Sequence, residues 1–159
     1  MHFFLQSVVE PHGLVAHLFG PYEGRRHDAS MLRASGLLDQ LQDNMIRPDG
    51  GVYCLYGNAG YPLLPHVLSP FRGNALSAEE QVFNRQMSEA RVSVECGFGG
   101  VYAKFGFLLM KSQMRLGLQP IGQYYIVATL LYNCYACMYG NEISKFFDLE
   151  PPTLEEYLQ

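Results

Sequence analysis

The sequence predicts a single domain of mixed α/β structure, and three observations support that prediction. The chain has 159 residues, of which 48% are hydrophobic and 16% are charged, a length and composition that suit one domain with a sizeable core. Short apolar runs that contain β-branched residues alternate with segments of helical periodicity. Clusters of Pro and Gly separate these segments. The resulting order (two strands, a helix, two strands, two helices) is typical of a mixed α/β fold.

Two apolar runs at the start of the chain predict a β-hairpin. The first is Phe3–Val9 and the second is Leu14–Phe19, with the turn residues Glu10–Gly13 between them. Because both runs are short and a Pro/Gly turn joins them, we expect two antiparallel strands. The dipeptide Gly20-Pro21 is expected to close the second strand.

The middle of the chain alternates between helix and strand signals. Apolar residues at helical spacing follow Asp28, which is a candidate N-cap, and Ser35-Gly36 interrupts the pattern. Val52–Tyr56 predicts a buried strand that ends in the loop Gly57–Pro62. His66–Phe71 predicts another short strand, whose flanking prolines suit an edge position.

Two longer helices are predicted in the second half. Ser77, followed three residues later by Glu80, forms a capping-box signature, and the helix that it opens is expected to end near Gly99-Gly100. The last helix follows Pro120 and closes at Gly140. Its predicted apolar stripe comprises Ile121, Tyr125, Ala128, Leu131, Tyr132 and Tyr135. We therefore expect residues 1–150 to form the domain and residues 151–159 a C-terminal tail, in which Pro151-Pro152-Thr153 is irregular.

Composition and charge exclude several classes of protein. A net charge of −4 disfavours a DNA binder that relies on a basic surface alone. The first nine residues lack the pattern of a signal peptide, and no apolar run reaches the ~18 residues of a membrane span. Four cysteines are too few for a disulfide framework, which favours a soluble intracellular protein. Cys134 and Cys137 are either small core residues or a metal or redox pair. Cys54 and Cys96 are expected to fill small spaces in the core.

Three places in the chain could carry chemistry. Ligands of α/β proteins tend to bind at loops after strands, and both Gly57–Pro62 and Gly24–Asp28 are such loops. The third place is the helix that carries Glu95. Glu95 lies four residues after Arg91, so a surface ion pair on one helix face is the simplest interpretation of that spacing.

Three segments carry a more specific signal. They are G-P-Y-E-G-R-R-H-D (Gly20–Asp28), Y-G-N-A-G-Y-P (Tyr56–Pro62) and F-N-R-Q-M-S-E-A-R-V-S-V-E-C-G-F-G (Phe83–Gly99). Together and in this order they resemble the DDE superfamily endonucleases, in particular the Harbinger-type transposases and the nucleases derived from them. Leu131-Tyr132-Asn133 is similar to a later Leu-His-Asn of that family, and the resemblance extends from about Phe4 to Leu149.

The resemblance implies a ribonuclease-H-like mixed sheet flanked by helices. It also implies phosphodiester chemistry supported by two Mg²⁺ or Mn²⁺ ions, which prefer carboxylate oxygens. Asn58 stands where the family's Gly-Asp-x-x-Tyr-Pro loop has its second catalytic acid, and Glu95 matches the third acid. Both are therefore candidate catalytic residues and metal ligands. Asp28 matches a His-Asp pair near the family's site and is either a helix cap or an auxiliary metal ligand.

Two departures from the family pattern predict a loss of activity. Asn58 brings no charge, which should weaken metal binding. The family's first Asp lies on a strand before the region where this chain begins, and neither His2 nor Gln6 can replace it. We therefore expect a domain that lacks its first, central strand. The chain would then be a fragment, an incomplete gene product or a subunit that another chain completes. Phe3–Val9 and Val52–Tyr56 would flank the empty position, and their unpaired edges predict self-association.

The function expected from these features is a transposase-derived, metal-dependent DNA endonuclease domain that acts by hydrolysis or strand transfer, with lost or impaired activity. The alternative is a catalytically dead remnant that binds DNA or protein, and an unrelated α/β binding domain is a third alternative. The resemblance also implies a nuclear protein whose Myb-like or helix-turn-helix partner recognises the DNA sequence. Such a partner suits a chain with no basic patch beyond Arg25-Arg26.

Overall fold

A computed structural model describes residues 3–23, 27–109 and 120–159 of the chain. Strands and helices are mixed along these ranges, which confirms the predicted α/β class. The strands are β1 (Phe3–Val9), β2 (Val15–Glu23), β3 (Leu55–Tyr56) and β4 (Val67–Leu68). The α-helices are α1 (Asp28–Ala34), α2 (Leu37–Asn44), α3 (Ala78–Lys104), α4 (Ile121–Tyr139), α5 (Glu142–Phe147) and α6 (Leu154–Tyr157), with a 3₁₀ helix at Gly106–Leu109.

The chain divides into two compact units. The first unit comprises Met1–Gly24 and Ala90–Gln159, and the second unit comprises Arg25–Glu89. Within the described ranges, β1 pairs with β2 in one two-stranded sheet, and β3 pairs with β4 in another. The ribonuclease-H-like sheet, the lost central strand and the boundary at residue 150 stay predictions. Among the described helices, none combines the length and apolar character that crossing a bilayer requires.

The N-terminal hairpin of the first unit confirms the prediction, except at its end. β1 and β2 are antiparallel, and Gly13 turns the chain between them with a φ of 87°. β2 does not stop at Gly20-Pro21, as expected, but continues to Glu23. The register shifts between Phe4 and Gln6 and again between Val8 and Val9, and each shift accommodates one extra residue of β2.

Glycines inside α3 explain why that helix continues past its predicted end at Gly99-Gly100. A Cβ on Gly100 would lie 2.6 Å from the Tyr132 hydroxyl oxygen, and a Cβ on Gly97 would lie 2.5 Å from Ile143 Cδ1. The glycines therefore mark the points where α4 and α5 approach α3 closely, rather than a helix stop. The capping box at the start of α3 is confirmed, because Ser77 N donates to Glu80 Oε2 over 2.8 Å and Glu80 N donates to Ser77 Oγ over 3.2 Å.

The core of the first unit forms around α4, which begins and ends where the sequence predicts. The buried cluster contains Val101, Leu108, Ile121, Tyr125, Ala128 and Tyr132. Leu131 was expected on the same stripe but is 52% exposed, because the buried face instead includes Thr129, Asn133 and Ala136. Burial raises the pKa of Tyr125, and a hydrogen bond with Tyr102 raises it further.

Two short C-terminal helices were not predicted, although each has a capping box. Asn141 accepts a hydrogen bond from Ser144 N over 2.9 Å at the start of α5. Thr153 Oγ1 accepts one from Glu156 N over 3.3 Å at the start of α6, after the irregular residues 150–153. The Thr153 backbone N–H donates in return to Glu156, and this bond lowers the pKa of the Glu156 carboxyl.

The second unit differs from prediction mainly in its strands. Ser35-Gly36 does separate α1 from α2, with Gly36 at a φ of 67°. The predicted buried strand Val52–Tyr56 shortens to β3, since Val52, Tyr53 and Cys54 are exposed. The predicted strand His66–Phe71 likewise shortens to β4, which lies parallel to β3.

Candidate functional site

The loop that follows β3 is held by its own backbone and side chains. Gly57 N donates to Leu68 O over 2.8 Å and so ends the ladder between β3 and β4. Asn58 Oδ1 then accepts from Gly60 N over 2.6 Å, and Tyr61 N donates to Asn58 O over 3.1 Å. These two bonds fold the chain back within four residues, which is an Asx turn of the kind that Asn and Asp both form.

Asp28 and Asn58, two of the predicted site residues, meet at Gly60. A Cβ built on Gly60 would lie 2.5 Å from Asp28 Oδ2 and 2.8 Å from Asn58 Oδ1. The two oxygens therefore converge on one small space that only a glycine leaves open. Asp28 belongs to the first turn of α1, and the N-cap is His27, which makes no side-chain capping bond. The prediction of Asp28 as the N-cap is wrong, because its side chain reaches towards the loop instead.

Glu95, the third predicted residue, lies on α3 within the first unit. Its carboxylate forms an ion pair with Arg91, one helical turn earlier, and the Glu95 side chain is 63% exposed. This confirms the ion pair that the spacing predicts. An exposed pair of this kind contributes little to stability, so it leaves the glutamate available for other contacts.

The donor set at Gly60 does not fit a two-metal centre. Asp28 supplies one carboxylate, whereas Asn58 supplies a neutral amide oxygen that already accepts a backbone hydrogen bond. Two divalent ions need several anionic oxygens to offset the cost of removing them from water. Across the ranges that the structure describes, no three His, Cys, Asp or Glu side chains come together as a metal-binding group.

Sequence reasoning missed Arg72, which joins the loop from the other side. One Arg72 guanidinium nitrogen, Nη2, donates to Ala59 O and lies 3.4 Å from Tyr61 O. The next residue back along the chain is also fixed, because Phe71 N donates to Asn84 Oδ1 over 2.9 Å and Asn84 Nδ2 donates to Phe71 O over 3.1 Å. Asn84 is part of the quoted F-N-R segment, so the motif held a signal for this contact.

The structure tests the prediction for one cysteine and bears on the alternatives for two others. Cys54 is exposed, and its thiol lies 3.3 Å from Pro65 O, so its prediction as a core residue is wrong. Cys134 and Cys137 are free and half-buried in α4, and burial raises the pKa of the Cys137 thiol. A raised pKa disfavours the thiolate, which is the form that binds metals and reacts, so it favours packing over metal or redox chemistry. The side chain of Cys96 lies outside the described residues, as do Arg25 and Arg26.

Asn133, the last residue of the Leu-Tyr-Asn segment, has a structural role. It is buried, and its Oδ1 accepts from Val15 N over 3.0 Å while its Nδ2 donates to Val15 O over 3.0 Å. Nδ2 also donates to the Tyr157 hydroxyl over 3.0 Å. One amide therefore ties α4 to the hairpin and to α6.

Comparison with protein families places most of the chain in one family. The model of the DDE superfamily endonuclease family matches residues 3–133, which include the loop after β3, Glu95 and Asn133. The chain belongs to the DDE superfamily endonuclease family. Membership implies a transposase-derived nuclease domain with a DNA substrate, in a family that typically uses divalent metal ions. Searches of curated proteins and of solved structures found no match.

Proposed function

We propose that this chain is a Harbinger-type DDE endonuclease domain in which DNA-strand cleavage is lost or badly impaired. The observation that carries the proposal is the convergence of Asn58 Oδ1 and Asp28 Oδ2 beside Gly60. The loop keeps the form that would present an acid at the end of β3, but an amide occupies the acid's position. In this proposal the single replacement of an acid by Asn58 reduces activity, and the fold of the loop need not change.

The difference between Asp and Asn at position 58 is large for a Mg²⁺ or Mn²⁺ ion. An amide oxygen can contact the ion but contributes no negative charge, and a hard cation depends on charged oxygen ligands. In the proposed metal site, the remaining negative charge comes from two carboxylates. Asp28 would be an auxiliary ligand, and Glu95 would be the third acid. We therefore expect a weakened metal site at Asn58, Glu95 and Asp28 and derive no catalytic step from it.

The family pattern also supports the remaining parts of the proposal. A cleavage-defective Harbinger-type domain would act on DNA in the nucleus beside a Myb-like or helix-turn-helix partner that reads the sequence. β1 and β3 each have one neighbour in their sheets within the described residues, so a further strand from another copy could add to either. Light scattering after gel filtration measures whether such self-association occurs.

A nicking assay tests the proposed loss of activity. Supercoiled plasmid is incubated with the chain and Mg²⁺ or Mn²⁺, and no nicked circle above a buffer control is expected. The Asn58→Asp variant returns the negative charge at one position of the site, and we expect little recovery of nicking from this change alone.

The matched variants are Glu95→Gln and Glu89→Gln, which change two glutamates of the same helix. Nicking that appears in the wild-type chain and in Glu89→Gln but vanishes in Glu95→Gln would contradict the proposed loss of activity. Nicking that persists equally in both variants would come from chemistry that does not depend on Glu95.

The second candidate function is a binding module without nuclease activity, and the exposed face of α4 favours it. Residues 121–139 contain no charged side chain. Five of their apolar side chains are about half exposed: Ile126, Val127, Leu130, Leu131 and Met138. Contiguous exposed apolar residues on a helix commonly mark protein contacts. A Leu130→Glu variant that abolishes self-association or partner capture without changing helix content would support this candidate.

A further inference from the structure

A cleft of about 510 Å³ opens beside the loop after β3, entirely within the second unit. Its volume lies within the ~300–1,000 Å³ of small-ligand sites. The walls come from the loop itself, through Tyr61 and Pro62, and from the segment around Phe71. The cleft thus shares residues with the loop that carries Asn58.

Aromatic rings form much of the wall. Phe83 meets Phe71 edge-to-face, with ring centroids 5.3 Å apart, and meets Tyr56 in the same manner at 6.0 Å. Tyr61 also lines the cleft. Phe71 is 46% exposed, so part of this apolar ring lies open to a planar ligand. Exposed rings held by edge-to-face contacts are pre-ordered, and stacking on them costs little conformational entropy.

One positive charge stands at the same cleft. Arg72 lines it, and its described hydrogen bonds are to the carbonyl oxygens of Ala59 and Tyr61 rather than to an acid. Among residues 3–23, 27–109 and 120–159, no ion pair joins Arg72 to a carboxylate. A guanidinium has five N–H donors, so the Arg72 side chain keeps further donors and its full positive charge, both of which can contact a phosphate.

We propose that this cleft binds one unstacked nucleobase of a DNA strand, with Arg72 contacting the adjacent phosphate. The inference rests on the proposed function, because it takes DNA as the ligand. Stacking on Phe71 accepts any base, since every base has an aromatic face. Ser69, which also lines the cleft, adds a hydroxyl that can donate to or accept from a base edge.

The combination of rings and charge favours a nucleotide over an apolar peptide. An apolar side chain of a peptide would contact only the apolar walls and would make no favourable interaction with the Arg72 cation. A nucleotide presents an apolar aromatic face and a negative phosphate within one unit of its backbone. Single-stranded DNA is therefore the ligand that uses both features of the cleft.

The test uses the absence of tryptophan from the sequence. Leu63 lines the cleft and is 70% exposed, so Leu63→Trp introduces a single tryptophan beside the proposed ligand, and this tryptophan can be excited selectively over the tyrosines. We expect a single-stranded oligonucleotide of ten thymidines to quench this tryptophan and a blunt duplex of equal length to leave it unchanged. Fluorescence anisotropy of labelled oligonucleotides measures overall binding separately.

Two substitutions then separate the stacking and phosphate contacts. Phe71→Ala should weaken single-strand binding at least about fivefold, because stacking on an aromatic ring contributes that much per base or more. Arg72→Gln should lower the slope of log affinity against log salt by about one. The matched controls, Phe146→Ala and Arg33→Gln, change an exposed aromatic of the first unit and an exposed arginine of α1, and both should bind as wild type does.

Several results would overturn the inference. The first is a Phe71→Ala variant that has native circular dichroism and binds single-stranded DNA as tightly as the wild type. The second is equal quenching of the tryptophan by duplex and by single-stranded DNA. The third is quenching by an apolar peptide but not by DNA. If Phe71→Ala does not fold, the Leu63→Trp titration decides by itself. Absence of any DNA binding also overturns the inference, whereas plasmid nicking overturns only the proposed loss of activity.

Discussion

Replacing Asn133 by Ala tests how the first unit is held together. Asn133 is 2% exposed and makes three hydrogen bonds of 3.0 Å, two with the Val15 backbone and one with the Tyr157 hydroxyl. Each bond contributes a net ~0.5–1.5 kcal/mol, and the buried Val15 groups would lose a side-chain partner in the variant. We expect Asn133→Ala to lower the free energy of unfolding by about 3 kcal/mol.

The measurement is urea or thermal unfolding followed by near-ultraviolet circular dichroism of the tyrosines. A loss of this size corresponds to a fall in melting temperature of roughly 6–12 °C for a chain of this length. Tyr157→Phe is the matched control, because it removes only the bond to the hydroxyl and should cost about 1 kcal/mol. An Asn133→Ala variant that unfolds no earlier than Tyr157→Phe would refute the role of Asn133 as the link between α4 and the hairpin.

Two further predictions concern the loop site and the C-terminus. Gly60→Ala should cost about 1 kcal/mol of unfolding free energy, because its methyl group would displace the oxygens of Asp28 and Asn58, and adding Asp28→Ala should recover part of that loss. Additive effects in this double-mutant cycle would show that the oxygens do not converge. Hydrogen bonds from Thr153 lower the pKa of the Glu156 carboxyl in the folded protein. These bonds therefore stabilise α6 fully above pH 4.5, the usual pKa of the group, and the stabilisation is lost as the pH falls through the lower pKa of the folded state. Amide exchange of α6 between pH 6 and pH 2 measures this, and Glu156→Gln should remove the pH dependence.

The sequence predicted the features that depend on neighbours within a few residues. The capping box of Ser77 and Glu80 and the Arg91–Glu95 pair are examples, since each joins residues three or four positions apart. The hairpin turn at Gly13 and the end of α4 at Gly140 are also local, because both require backbone angles that glycine adopts readily. Such features can be predicted from the sequence because they do not depend on tertiary contacts.

Features that depend on distant partners were predicted poorly. α3 passes Gly99-Gly100 because Tyr132 packs against the helix there, more than 30 residues further along the chain. Val52–Tyr56 was expected to be buried from its apolar composition, yet its first three residues are exposed. Val52 forms only an isolated bridge with Ile46, and the parallel ladder with β4 is confined to β3. In both cases the local pattern was compatible with two outcomes, and long-range packing selected one.

The candidate site divides in the same way. The sequence by itself predicted Asn58, Asp28 and Glu95 as site residues, which stays a prediction. The family model that matches residues 3–133 agrees with the superfamily that those segments indicated. Only the tertiary structure decided that Asp28 faces Gly60 and Asn58 rather than capping α1, and that Arg72 joins the loop beside an aromatic cleft. The physical reason is that a motif fixes which chemical groups are present, whereas the direction in which each group points depends on contacts between residues that are distant in the chain.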